Sequence, residues 1–237
     1  MCRSIYLTAV QQKYCTAALY FQTGRKQYIM KEKRNNKNIW NSYAKLYDFE
    51  ISRFSSEAYS EMSRLMAEVL SPEMTVLEAA AGTGLISLSI AGCVRHIEAV
   101  DFSPKMIEKA KKKKVPDNVR FSVEDASDLS FDDSSFDAVI IANALHIMPD
   151  PAGVLLSISR VLRPGGLLIA PTYSHGHLKD SSWNLSTKLL RLIGFETYSK
   201  WKPDEYTEFI RENGFHIGRT ALLKAAFPLM YLEARKA

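Results

Sequence analysis

The segment Val76-Leu77-Glu78-Ala79-Ala80-Ala81-Gly82-Thr83-Gly84 constrains this chain more than any other. A short apolar run reads as a buried strand and ends in an acid. It then passes through a glycine turn into the helical pattern Leu85–Ala91. Glycines in such a turn let the backbone pass close to a ligand, and the start of the following helix favours a negative group. Asp101 ends the next apolar run, 17 residues after Gly84, where a carboxylate can accept both hydroxyls of a ribose. A tight turn without a ligand is the bland alternative, and Asp101 argues against it.

From residue 55 onward the hydrophobic period alternates between that of helices and that of strands, which predicts a parallel sheet of βαβ units. Tyr59, Met62, Met66 and Val69 recur at helical spacing. Strands are expected at Thr75–Glu78, His96–Asp101, Asn118–Val123, Phe136–Ala142 and Leu167–Pro171, with two more at Phe215–Leu223 and Phe227–Ala234. Ser103 and Pro104 suit a helix cap and first turn, and that helix should run to Lys114 before Pro116. Further helices are expected over Pro151–Leu162, closed by Pro164-Gly165-Gly166, and over Asp204–Glu212. The Lys111–Lys114 cluster suits the negative end of a helix dipole. Seven strands with a two-strand ending predict a doubly wound α/β sheet, mostly parallel, with an antiparallel last strand.

Length and composition fit one such domain: 237 residues, 46% hydrophobic and 24% charged. No run of 18 apolar residues suggests a membrane span. Three cysteines at unrelated spacings suggest neither a disulfide framework nor a metal site, and point to a reducing, cytoplasmic setting. The net charge of +5 is unevenly spread. Residues 1–46 hold nine Lys/Arg against Glu32 alone, whereas residues 47–237 hold 22 against 25 acids. The basic arm reads as a solvated segment with scattered charges, so nucleic acid is not the expected partner. Met30 opens a stretch that itself reads like a protein start. The expected organisation is therefore a dispensable extension over 1–29, a helical lid region over 30–70 and a cofactor domain over 71–237.

Two cofactor classes fit a glycine turn followed by an acid. A dinucleotide oxidoreductase wants a third glycine for close helix packing, but Ser87 stands at that position. Glu78 is also an awkward neighbour for a pyrophosphate, and suits a ligand carrying an ammonium and a sulfonium. The combined pattern over residues 40–235 resembles the class I S-adenosylmethionine-dependent methyltransferases, of Rossmann-like fold. Their first motif is matched by Val76–Gly84, with Glu78, Gly82 and Gly84 in place and Ala80 where the first glycine stands. Alanine there is a mild departure provided its φ stays negative. The resemblance implies that Asp101 binds the ribose of S-adenosylmethionine. It further implies that Phe102 and Met106 flank the adenine and that Asp125, with the small Ala126 beside it, reads the adenine edge. Asn143, after strand four, joins this cofactor-binding set. Tyr43 and Tyr47 lie in a stretch, Trp40–Asp48, that in the family folds over the cofactor.

The family implies in-line attack of an acceptor on the sulfonium methyl, with the protein mainly positioning and desolvating. Asn143-Ala144-Leu145-His146 is unlike the loop of nucleic-acid amino-methylating enzymes, and no cysteine follows residue 93 to serve cytosine C5 chemistry. The pattern is most similar to the small-molecule branch. His146, just past strand four, is the candidate catalytic residue, beside the alternative of a structural loop histidine. Tyr173, His175 and His177 after strand five rank behind it. Trp183–Ile193 is a second lid candidate whose apolar residues suggest a partly apolar acceptor. An inactive cofactor-binding regulatory module and a dinucleotide oxidoreductase stay open as alternatives.

Overall fold

A computed structural model describes residues 29, 37–53, 55–174, 197–224 and 228–237. The expectations for residues 1–28, for His175 and His177 and for Trp183–Ile193 lie outside the described residues.

Five strands form the parallel part of the sheet: β1 (Thr75–Ala79), β2 (His96–Asp101), β3 (Val119–Val123), β4 (Phe136–Ile140) and β5 (Leu162–Ile169). They lie in the order β3-β2-β1-β4-β5. The chain reverses its direction of travel across the sheet at β1, which pairs with β2 on one side and β4 on the other. In a doubly wound sheet the crevice beyond the carboxyl ends of the strands at such a reversal is where ligands bind. β8 (Leu229–Lys236) runs antiparallel to β5, and β7 (Phe215–Leu223) runs antiparallel to β8 at the edge.

An eighth, two-residue strand, β6 (Thr172–Tyr173), accounts for the difference from the expected seven. It continues β5 along β8 in the same register, Ile169 opposite Glu233 and Thr172 opposite Met230. The interruption falls at Pro171, which has no N–H to give the ladder. β5 also begins earlier than expected. Pro164-Gly165-Gly166 does not close the preceding helix but forms a bulge inside the strand, because Phe136 faces Leu162 while Ala138 faces Leu167.

The helices are α1 (residues 37–53), α2 (Ser56–Val69), α3 (Leu85–Ile90), α4 (Pro104–Lys111), α5 (Pro151–Val161) and α6 (Pro203–Glu212). Successive strand residues point to opposite faces, so Val76 and Leu77 enter different clusters. On one face Met62 and Met66 of α2, Ile86 and Ile90 of α3 and Ile107 of α4 pack on Val76, Ile97 and Ile140. On the other, Leu155 and Ile158 of α5 and Tyr206 and Ile210 of α6 pack on Leu77, Val139 and Leu168. Coverage on both faces explains why β4 reads as a continuous apolar run.

The cap expected from sequence at Ser103 is present, and a second forms at Asp150. Ser103 Oγ accepts from Met106 N at 3.2 Å ahead of Pro104. Asp150 Oδ1 accepts from Gly153 N at 3.4 Å ahead of Pro151. α4 stops at Lys111 rather than Lys114. Its end tightens into i−3 bonds, Lys112 N to Lys109 O and Lys113 N to Ala110 O, which releases Lys113 for a tertiary role.

Gly84 caps α3 with φ +75°, and a methyl group built on it would overlap the Phe121 ring, with Cε1 at 2.6 Å. Gly165 has a similar φ of +69° but open space around it. Gly84→Ala should therefore cost roughly 2–4 kcal/mol and Gly165→Ala about 1–2 kcal/mol in urea unfolding. Equal losses would show that the approach of α3 to Phe121 does not demand glycine.

Candidate active site

The turn after β1 is built from backbone bonds and two buried carboxylates. Ala81 N donates to Val100 O at 2.9 Å, and Gly84 N to Ala81 O at 2.9 Å. Gly82 and Gly84 take positive φ, +57° and +75°, as the glycine pattern implies. Ala80 also takes a positive φ, +58°, so it does not keep the negative φ on which the mild reading of that substitution rested. An L-residue held there costs about 1–2 kcal/mol.

Asp101 reaches from the end of β2 under this turn. Its Oδ2 accepts from Gly82 N at 2.9 Å and its Oδ1 from Ser103 N at 2.8 Å. One carboxylate thus ties the glycine turn to the start of α4. Burial pushes its pKa up to about 6, against the pull of those two N–H groups. Glu78 sits deeper. Its Oε2 accepts from Ser87 N at 2.8 Å and from the Ser87 hydroxyl. Ser87 is completely buried, so this pairing is what the serine provides where a dinucleotide site would carry glycine. Glu78 is not among the residues that line the cleft; it fastens α3 to β1.

A cleft of about 850 Å³, its open mouth included, lies above the turn. Tyr47, Ala80, Gly82, Asp101, Phe102, Met106, Asp125, Ala126 and Asn143 all line it. Gly84 does not; its part is helix packing. Glu124 lines it too, with both oxygens accepting from Ser130, while Asp125 Oδ1 accepts from Ser127 N at 2.9 Å and Ser127 Oγ at 2.7 Å. Trp40 and the run Ile147-Met148-Pro149-Asp150 complete the wall. That run is a short loop between a 3₁₀ turn (Leu145–Ile147) and α5, and only the Asp150-Pro151 cap signalled it in the sequence.

Asn143 combines two unusual features. Its φ is +53°, and its Oδ1 is a buried side-chain acceptor without a hydrogen-bond partner among the described residues. Its Nδ2 donates to Tyr59 Oη at 3.4 Å. A strained cleft-lining residue with a buried, unpaired acceptor is what a donor-bearing ligand would satisfy.

α1, which holds the stretch Trp40–Asp48 expected as a lid, borders the cleft through Trp40 and Tyr47. Asp48 accepts from the Thr83 hydroxyl and pairs with Lys113 at 3.1 Å and Lys109 at 3.3 Å. Burial raises the pKa of Asp48, but Thr83 and Lys113 outweigh it, and the net direction is down. Lys113 Nζ also donates to Thr83 O at 2.8 Å, on the turn itself. Asn41 Oδ1 accepts from Ser103 Oγ at 2.7 Å. Tyr47 lies against Gly82 and shares a 3.1 Å hydroxyl contact with Tyr59. Burial holds the phenols of Tyr43, Tyr47, Tyr59 and Tyr173 above their usual range, so all four are neutral donors at neutral pH.

His146 is not a cleft-lining residue. Its Nδ1 meets Thr172 Oγ1 at 3.0 Å, its ring stands edge-on to Tyr173, and its carbonyl accepts from Tyr198 and Ser199 N–H groups. It braces the loop after β4 against β6 from behind.

Fold and cleft together define a Rossmann-like cofactor-binding domain at a sheet reversal point. Residues 77–170 match the family described as "Methyltransferase domain". The chain is 41% identical over 100 residues to a demethylmenaquinone methyltransferase of Clavibacter sepedonicus, covering 42% of this chain and 41% of that protein. It is 28% identical over 177 residues to the chloroplastic 2-methyl-6-phytyl-1,4-hydroquinone methyltransferase 2 of Oryza sativa subsp. japonica, covering 72% and 46%. The matched part thus spans less than half the length of either relative. Among solved structures, a SAM-dependent methyltransferase from Aquifex aeolicus superposes with a TM-score of 0.62 at 17% identity, covering 83% of this chain and 98% of that one. Residues 77–170 therefore form a methyltransferase domain, of the class I S-adenosylmethionine-dependent type, with S-adenosylmethionine as its cofactor. The strained turn, the unpaired Asn143 Oδ1 and the carboxylate at the cleft floor fit that group.

Burial raises the pKa of Glu78 to about 7. A carboxyl whose folded pKa exceeds its unfolded value favours folding while protonated, and that advantage is lost as pH rises through the folded value. Relative to Glu78→Gln, the wild-type chain should therefore lose about 2–3 kcal/mol of stability between about pH 5 and pH 8. Denaturant melts of both proteins across that range read the difference. A constant difference would mean that Glu78 is ionised throughout.

Proposed function

We propose that this chain transfers the methyl group of S-adenosylmethionine to a small-molecule acceptor carrying a hydroxylated, quinol-type ring. The observation that carries the transfer reading is the convergence of nine sequence-nominated residues on one cleft above the glycine turn. The acceptor class is supported by the names of the two relatives and by Tyr47 in the cleft wall, a neutral phenol in ring contact with Tyr43 and hydroxyl contact with Tyr59. Flat phenol faces with hydroxyl rims suit an aromatic ring that also needs hydrogen-bond partners.

When bound, S-adenosylmethionine supplies a methyl group already activated by its sulfonium. In this reading Asp101 accepts the ribose hydroxyls with lone pairs not used by Gly82 and Ser103. Phe102, Met106 and Ala126 enclose the adenine, and Asp125 reads its edge. Asn143 Oδ1 accepts from a donor on the cofactor. Trp40 and Tyr47 exclude water from the cleft once α1 is latched, which strengthens every charge interaction inside. His146 orients the loop after β4 through Thr172 and Tyr173.

Asp101→Ala tests the placement of the cofactor. Bonds to a charged acceptor contribute roughly 1.5–3 kcal/mol net. Loss of about one such bond should weaken S-adenosylhomocysteine binding roughly 10–150-fold by isothermal titration. NAD and NADP should not bind either protein. An affinity within about threefold of wild type, in a variant that still unfolds cooperatively, would put the ribose elsewhere.

A further inference from the structure

The outer face of α1 carries an exposed apolar pair. Leu46 is 57% exposed and Phe49 66%, one helical turn apart. The opposite face of the same helix supplies Tyr47 and Asp48 to the cleft and its latch. Other exposed large hydrophobic residues, such as Leu156, stand singly and need no account.

The surroundings of this pair are basic. Lys45 is exposed beside it. α4 lies alongside, joined through Lys109 Nζ to Ala44 O at 2.8 Å and Lys45 O at 3.3 Å. Residues 104–114 hold six lysines against one acid, Glu108. Among the described residues, the exposed lysines Lys45 of α1 and Lys111 and Lys114 at the end of α4 thus accompany two exposed apolar side chains.

We propose that the α1–α4 face docks on an anionic lipid surface, with Leu46 and Phe49 entering the headgroup boundary and Lys45, Lys111 and Lys114 facing the lipid phosphates. Interfacial helices bind by that combination of buried apolar area and attraction to anionic lipid. A nucleic-acid backbone would use the lysines but offers nothing to Leu46 and Phe49. The docking does not depend on the methyl-transfer reading. Because α1 is also the lid, it sets the cleft mouth beside the membrane.

The test is co-sedimentation of the full chain with phosphatidylcholine vesicles, with and without phosphatidylglycerol. Binding should require phosphatidylglycerol, weaken in high salt, and fall roughly tenfold in the Leu46→Ser/Phe49→Ser double variant. A Lys111→Glu/Lys114→Glu variant should also bind less. S-adenosylhomocysteine titration, run on each protein, should be unchanged and separates a failure of docking from a failure of the cofactor reading. Absence of binding to phosphatidylglycerol vesicles would overturn the proposal. So would binding that is indifferent to the Leu46 and Phe49 changes, or duplex DNA bound more tightly than the vesicles at equal salt.

Discussion

The pair of backbone N–H groups held by the Asp101 carboxylate is the contact on which the rest of the site depends. Gly82 belongs to the turn after β1 and Ser103 to the start of α4, and Asp101 spans them from the end of β2. Because the carboxylate is buried, those bonds are made in a medium where they are strong and where leaving them unmade is costly. Glu78 repeats the device one strand over, holding Ser87 of α3. Two acids at the ends of adjacent parallel strands therefore set the position of both helices that flank the cleft. Each raises the electrostatic cost of folding at neutral pH, as their upward pKa directions show, and apolar packing on both sheet faces offsets it.

The same turn also receives the lid. Thr83 offers its hydroxyl to Asp48 and its carbonyl to Lys113, so α1 is latched to the backbone that borders the cofactor cleft. Partly buried ion pairs of this kind are less screened than surface ones, so the latch should hold at physiological salt. The outward face of α1 is then a surface on which an external partner can bear upon the lid.

Much of this is legible in the sequence. The span from β1 to the start of α4 follows its expected bounds to within a residue, because glycines, a strand-terminal acid and a Ser-Pro cap each have one local meaning. Local meaning also misled. Pro164-Gly165-Gly166 reads as a stop, yet pairing with β4 and β8 draws it into β5 as a bulge. Ala80 reads as an ordinary φ, yet the fixed ends of the turn force it positive. Tyr59 shows only helical spacing in sequence, and its partnership with Tyr47 and Asn143 arises from packing between α1, α2 and the β4 loop. His146 was nominated by its place after β4, but the side chain turns on Thr172 and Tyr173, which no linear spacing reveals.

Hydrogen–deuterium exchange, with and without S-adenosylhomocysteine, tests the central claim most directly. The account predicts protection in peptides covering residues 78–87, 101–106, 124–127 and 143–150, together with residues 40–48 of the lid. NADH should give none. Protection confined to other regions, or protection of the glycine turn by NADH and not by S-adenosylhomocysteine, would contradict it.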